Sequence, residues 1–131
     1  EDVLTKMTDC FPDAGPAWTR GATLPGGDFP ADGFAGLVHD LVDRYPGLPK
    51  DLLTRLARAY GTRTPQVLGD VRSPADLGQH FGADLYEREV RYLRDVEWAG
   101  DAGALLWRRS KLGLCLTDDQ AGQLQTWLAK N

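Results

Sequence analysis

The chain has 131 residues, a formal net charge of −4 and a hydrophobic fraction of 42% against 26% charged residues, the balance of one soluble globular domain with a single core. No apolar run approaches the roughly 20 residues of a spanning helix, and acidic residues spread along the sequence exclude a nucleic-acid backbone as the obvious partner. Cys10 and Cys115 are the only cysteines and lie far apart, so neither a disulfide framework nor a zinc site is indicated, and a reducing, cytoplasmic setting fits best. The opening EDVLTKM has neither an initiator Met nor a basic region followed by an apolar one, and reads as a boundary inside a longer protein.

From Thr8 to Gly33 the chain is dense in glycine and in prolines (Pro12, Pro16, Pro25, Pro30), which break helix and strand ladders alike. An extended surface connector is predicted there, anchored by Trp18 and Leu24. After Gly33 the helical period takes over. Phe34, Leu37, Val38, Leu41, Val42 and Tyr45 make one apolar face closed by Pro46-Gly47. Pro49 suits the first turn of a second helix, whose stripe is Leu53, Leu56, Ala57 and Tyr60, stopped by Gly61. Thr64-Pro65 and Ser73-Pro74 each pair a cap residue with a first-turn proline and predict two short helical pieces.

The longest helix is predicted over about Ala83 to Ala99, with Tyr86, Val90 and Leu93 on one face, followed by a partner helix from about Asp101 to Gly113. Thr117-Asp118-Asp119-Gln120 matches a capping box at the start of a last helix with Ala121, Leu124, Trp127 and Leu128 as its buried face. No period-two alternation and no internal repeat is visible. The fold class is therefore all-α, a compact bundle of about five or six helices preceded by the Gly/Pro-rich connector.

Candidate chemistry is sparse. His39 and His80 have no metal-ligand spacing around them and suit surface or capping roles. Cys115, inside the apolar run LGLCL, reads as a buried thiol acting as a small hydrophobe. Gly26-Gly27 lacks the strand-loop-helix frame of a dinucleotide loop, so no phosphate cradle is predicted. Glu97 falls one turn after Leu93, and Arg109 shares a face with Leu105, Leu106 and Leu112. A charge on a buried stripe needs a partner, so Glu97 is expected to pair with Arg108 or Arg109. Such a pair either fixes helix register, the plainer reading, or supports a site on another domain. Trp107 with Arg108, Arg109 and Lys111 forms a small basic-aromatic cluster of a kind that touches phosphate or anionic lipid. Three cations do not single that out over a solvated or interdomain face, and Trp18, Trp107 and Lys111 are taken as the candidate interdomain surface.

The run ADLYEREVRYLRDVEWAGDAGALLWRRSKLGLCLT, with Glu97-Trp98-Ala99 and Leu106 to Leu114 (LWRRSKLGL), resembles the C-terminal helical domain of bacterial aerobic, FAD-dependent glycerol-3-phosphate dehydrogenases. GPAWT at Gly15 to Thr19 and LPGG at Leu24 to Gly27 resemble that family's connector, and RYPGLP, ARAYGTR, VLGD and ADLGQHFGADLYE continue the match in order. Ser110 stands where the family often has threonine. The resemblance covers essentially the whole chain. It implies a parent enzyme that oxidises glycerol 3-phosphate to dihydroxyacetone phosphate, reduces FAD and passes electrons to quinone, as a homodimer peripheral to the cytoplasmic face of the inner membrane. It also implies that the flavin loop, the catalytic residues and a GGK-TTYR motif all precede this segment. Residues 1–33 would then be the tail of a flavin-domain helix plus connector, and residues 34–131 the C-terminal helical domain. On that reading the segment holds no catalytic, cofactor-binding or metal-binding residue, binds no FAD by itself, and has the flavin/substrate domain of the same chain as its partner. The alternative is a free-standing helical adaptor that binds a protein through its tryptophan-rich surface.

Overall fold

A computed structural model describes residues 2–13 and 15–131. Glu1, the first residue of the expected helix tail, and Ala14 of the connector lie outside the described residues. Six α-helices follow one another: α1 (Asp2–Lys6), α2 (Phe34–Arg44), α3 (Lys50–Tyr60), α4 (Thr64–Leu68), α5 (Glu87–Asp95) and α6 (Asp118–Lys130). Between α5 and α6 runs a π-helical segment, Ala104–Arg109, followed by a 3₁₀ turn at Leu112–Leu114.

The all-α expectation holds, with one addition. His80–Gly82 and Leu85–Tyr86 pair as a two-stranded antiparallel ribbon, His80 opposite Tyr86 and Gly82 opposite Leu85. Ala83 sits at its turn with φ of 49°. The ribbon is too short to show alternation in the sequence, and it displaces the start of the predicted long helix. That helix opens at Glu87 and closes at Asp95, two turns shorter than the stripe suggested. The partner helix also stops early, at Arg109, because Lys111 turns into the left-handed region with φ of 60°.

One core joins α2 to α6, the ribbon and the π-helical segment. Leu53, Leu56, Leu68, Leu77, Phe81, Leu85, Val90, Leu93, Leu105 and Leu124 are each at most 2% exposed. The stripes of α2 and α3 face each other, α4 lies against α5, and α6 closes on the first strand, where Trp127 meets Phe81 edge-on at 5.8 Å between centroids. Arg91 and Arg94 of α5 cover the Trp127 ring from 5.1 and 5.8 Å. The capping box of α6 forms as the sequence indicates, with the Thr117 amide donating to Gln120 Oε1 and the Gln120 amide to Thr117 Oγ1. Ser73 and Asp76 make a second box. Thr64, by contrast, is fully buried and donates its hydroxyl to the Gly61 carbonyl at 2.8 Å instead of capping α4.

The anchor of the N-terminal region differs from the expected one. Trp18 and Leu24 are 73% and 80% exposed. The attachment is a backbone lock at Gly26 and Gly61, both at positive φ, where the Thr62 amide donates to the Gly26 carbonyl at 3.1 Å and the Thr62 hydroxyl to Asp28 Oδ1. The two backbones approach so closely that a Cβ on Gly61 would overlap the Gly26 carbonyl oxygen. Gly61→Ala is therefore expected to destabilise the domain by about 2 kcal/mol through strain and overlap together. Urea denaturation measures it, and a loss below about 0.5 kcal/mol would mean the connector is not clamped there.

Candidate functional site

Helix α3 carries Leu52, Leu53, Leu56, Ala57 and Tyr60 inward, and Arg55 lies at the edge of that face, one step before Leu56. Helix α5 carries Glu89, Val90, Tyr92 and Leu93 inward. The two faces meet at a charge. Glu89 is 3% exposed, and both of its oxygens are taken: Arg55 Nη1 donates to Oε1 at 2.9 Å, Arg55 Nη2 to Oε2 at 2.6 Å, and the Tyr60 hydroxyl to Oε1 at 2.7 Å. Arg55 also reaches the turn between the strands, with Nη2 donating to the Asp84 carbonyl at 3.1 Å and Nε lying 2.7 Å from Asp84 Oδ1. Tyr92 stacks edge-on against Tyr60 at 5.4 Å.

The electrostatics follow from burial. Desolvation alone would lower the Arg55 pKa, but hydrogen bonding and attraction to Glu89, then to Asp84, outweigh it and hold the guanidinium charged. Burial first, then the Glu89 charge and hydrogen bond, push the Tyr60 hydroxyl above its ordinary range, so it remains a neutral donor at any physiological pH. Three donors hold the carboxylate, which has little access to solvent. The cluster acts as a clasp joining α3, the strand turn and α5.

The arginines singled out in the sequence lie elsewhere, whereas Glu97 is near enough for its charge to add to the upward push on the Tyr60 hydroxyl. Glu97 is half-buried, Arg108 and Arg109 are exposed, and among the described residues no ion pair joins Glu97 to either arginine. The geometric reason is that α5 ends at Asp95 and the chain turns at Trp98, φ 59°, so the helical stripe does not extend to Glu97. The buried acid is Glu89, eight residues earlier and inside α5. Its signal was present in the sequence: Glu89 stands three residues after Tyr86 and four before Leu93, inside the stripe, just as Arg55 stands three after Leu52.

Trp107 is 51% exposed and Lys111 is exposed, joined by a hydrogen bond from Lys111 Nζ to the Trp107 carbonyl. Trp18 is exposed on the connector. Cys115 is exposed, not buried: in the 3₁₀ turn only Leu112 points inward, and the chain leaves the core at Leu114, 76% exposed. His39 is exposed beside Asp43 at 3.5 Å, and His80 is exposed with Nε2 2.8 Å from the Ala83 carbonyl. Among the described residues no group of three or more His, Cys, Asp or Glu could hold a metal.

Comparison with known proteins places this fold. Residues 17–127 match the family described as the C-terminal domain of alpha-glycerophosphate oxidase. The chain belongs to that family. Within it, the chain is 47% identical over 128 residues to a glycerol-3-phosphate dehydrogenase of Pseudomonas aeruginosa, a match covering 98% of the chain and 25% of the relative. It is 39% identical over 130 residues to the aerobic glycerol-3-phosphate dehydrogenase of Escherichia coli, covering 99% of the chain and 26% of the relative. It is 38% identical over 127 residues to a D-erythritol 1-phosphate dehydrogenase of Brucella abortus, covering 97% and 25%. The chain thus spans about a quarter of the length of the curated relatives it matches. The resemblance carried by the LWRRSKLGL region and the connector motifs is borne out at the level of this family domain.

Glu89→Ala is expected to destabilise the domain by about 3 kcal/mol, because it leaves the Arg55 charge with only Asp84 and strips Tyr60 of its acceptor. A double-mutant cycle with Arg55→Ala should return a coupling above about 1 kcal/mol, whereas coupling near zero would show the clasp to be ornamental.

Proposed function

We propose that this chain is the C-terminal helical domain of an FAD-dependent dehydrogenase that oxidises glycerol 3-phosphate to dihydroxyacetone phosphate and passes the electrons to quinone. The observation that carries the reading is 47% identity across 98% of the chain to a protein named glycerol-3-phosphate dehydrogenase, with a second relative of that name at 39%. Flavin, substrate and catalytic groups belong to the preceding domain of the same polypeptide in this reading, and residues 34–131 add a rigid helical body closed by the Glu89 clasp. Residues 1–33 then form the approach from that domain. Trp18, Trp107 and Lys111 supply the surface turned toward it, the exposed Arg108 and Arg109 add positive charge to that surface, and Glu97 makes no ion pair with either arginine among the described residues. We further propose a homodimeric parent peripheral to the cytoplasmic face of the inner membrane. Among the described residues no helix is long and apolar enough to cross a membrane.

A second reading changes only the polyol. The Brucella abortus relative, at 38% identity, is named for D-erythritol 1-phosphate, a longer polyol phosphate, yet this domain is as similar to it as to the Escherichia coli enzyme at 39%. The domain therefore tracks what such enzymes share and not the length of the polyol.

The test is the full-length polypeptide. It is expected to purify with bound flavin and to oxidise glycerol 3-phosphate with an artificial quinone acceptor, while the 131-residue chain alone shows neither flavin absorbance nor turnover, since hydride transfer requires a positioned isoalloxazine. A chimera carrying the Brucella abortus counterpart of residues 34–131 should keep its preference for glycerol 3-phosphate over D-erythritol 1-phosphate in kcat/KM. Absence of flavin from the full-length protein would refute the first reading, and turnover of D-erythritol 1-phosphate alone would establish the second.

A further inference from the structure

Downstream of α5 the chain holds apolar side chains rigidly in water. The Trp107 indole packs on Gly113 so closely that a Cβ there would come within 2.6 Å of the ring, yet the residue is 51% exposed. Leu114, next along, is 76% exposed. Lys111, left-handed with φ of 60°, brings its ammonium back to the Trp107 carbonyl, and the Ser110 hydroxyl ties the same turn to the Leu105 carbonyl at 2.9 Å and to the Leu112 amide at 3.2 Å. The segment feeding this turn is π-helical, a geometry poorer than the α-helix and retained mostly where a site needs it. A left-handed non-glycine residue is likewise a conformation that costs free energy and persists where surroundings demand it. Arg108 and Arg109 are exposed beside Trp107, and among the described residues neither they nor Lys111 form an ion pair, although acidic residues outnumber basic ones 19 to 15.

We infer that the face made by Trp107, Lys111 and Leu114, flanked by Arg108 and Arg109, is the docking surface for the preceding domain of the same polypeptide, which meets it with an apolar seat for Trp107 ringed by carboxylates. The inference rests on the proposed function for the existence of that domain, and the relatives, of which this chain spans only a quarter, supply about three times its length outside it. Fixed tryptophan with arginine is the composition of interface centres, and the unpaired cations set the sign of the opposing surface. An anionic bilayer is the less suitable occupant, because binding there grows with the number of flexible cations and this chain carries a net charge of −4.

Cys115, exposed and adjoining Leu114, is a built-in probe. In the full-length protein in lipid-free buffer, maleimide labelling of Cys115, read peptide by peptide by mass spectrometry, should be at least about tenfold slower than that of Cys10 or of Cys115 in unfolded protein. Arg108→Glu, Lys111→Glu and high salt should each restore several-fold faster labelling, and Trp107→Ala should do so at any salt. Arg108→Glu alters only an exposed side chain, so it remains informative if Trp107→Ala fails to fold. Fast labelling of wild type, protection that appears only on adding phosphatidylglycerol vesicles, or protection indifferent to all three substitutions would each overturn the proposal. Labelling is scored independently of turnover, so an enzyme inactive on glycerol 3-phosphate would count against the proposed function and leave this result standing.

Discussion

The Glu89 carboxylate, 3% exposed, is the constraint around which the domain is arranged. A buried carboxylate costs several kcal/mol unless its lone pairs are met, so the chain must deliver a cation and further donors to one point. Arg55 and Tyr60 come from successive turns of α3, and Arg55 extends the bond to Asp84 in the strand turn. α3 is thereby held in one register to the strand turn and the start of α5, 29 and 34 positions further along the chain, which aliphatic contacts between the same helices would specify less sharply. Closure inward has a counterpart outward. With α5 stopped at Asp95, the chain from Val96 to Leu116 continues as turns, the π-helical segment and the 3₁₀ turn, which bury Ala99, Leu105 and Leu106 while Trp98, Trp107 and Leu114 stand in water.

The legibility of the sequence followed the range of the interactions. Helices α2 and α3 and the α6 capping box depend on residues within four positions of each other, and Phe34 to Tyr45, Leu53 to Tyr60 and Thr117-Gln120 announced them. The ribbon at His80–Tyr86 is made of five strand residues, too few for alternation to register against a helical stripe running through Tyr86. Treating that stripe as unbroken past Asp95 moved the buried acid from Glu89 to Glu97. Helix ends of this kind have no local sign here: no glycine or proline occupies the stop, and the left-handed residue is Trp98.

Cys115 and the connector show the second limit. Both were assigned by local composition, an apolar run in one case and nearby large side chains in the other, while burial is decided by what lies opposite. For the connector the decisive partner was Gly61, thirty-odd positions away, whose missing side chain admits Gly26; nothing in the local sequence of either glycine names the other. The family was legible for a different reason. Ordered motifs along nearly the whole chain, from GPAWT to LWRRSKLGL, carried the resemblance, and similarity over that length to about a quarter of longer dehydrogenases bears it out.

The state of the Arg55 guanidinium reports most directly on whether the Glu89 clasp is closed. Nuclear magnetic resonance of arginine side chains in the 131-residue chain reads it, because a two-pronged ion pair that is buried slows both rotation about the guanidinium bonds and exchange with water. The structure requires separate, slowly exchanging Nη proton signals for Arg55 at neutral pH, collapsing in Glu89→Gln, alongside averaged, fast-exchanging signals for Arg108 and Arg109. Averaged Arg55 signals indistinguishable from those of Arg108 would contradict it.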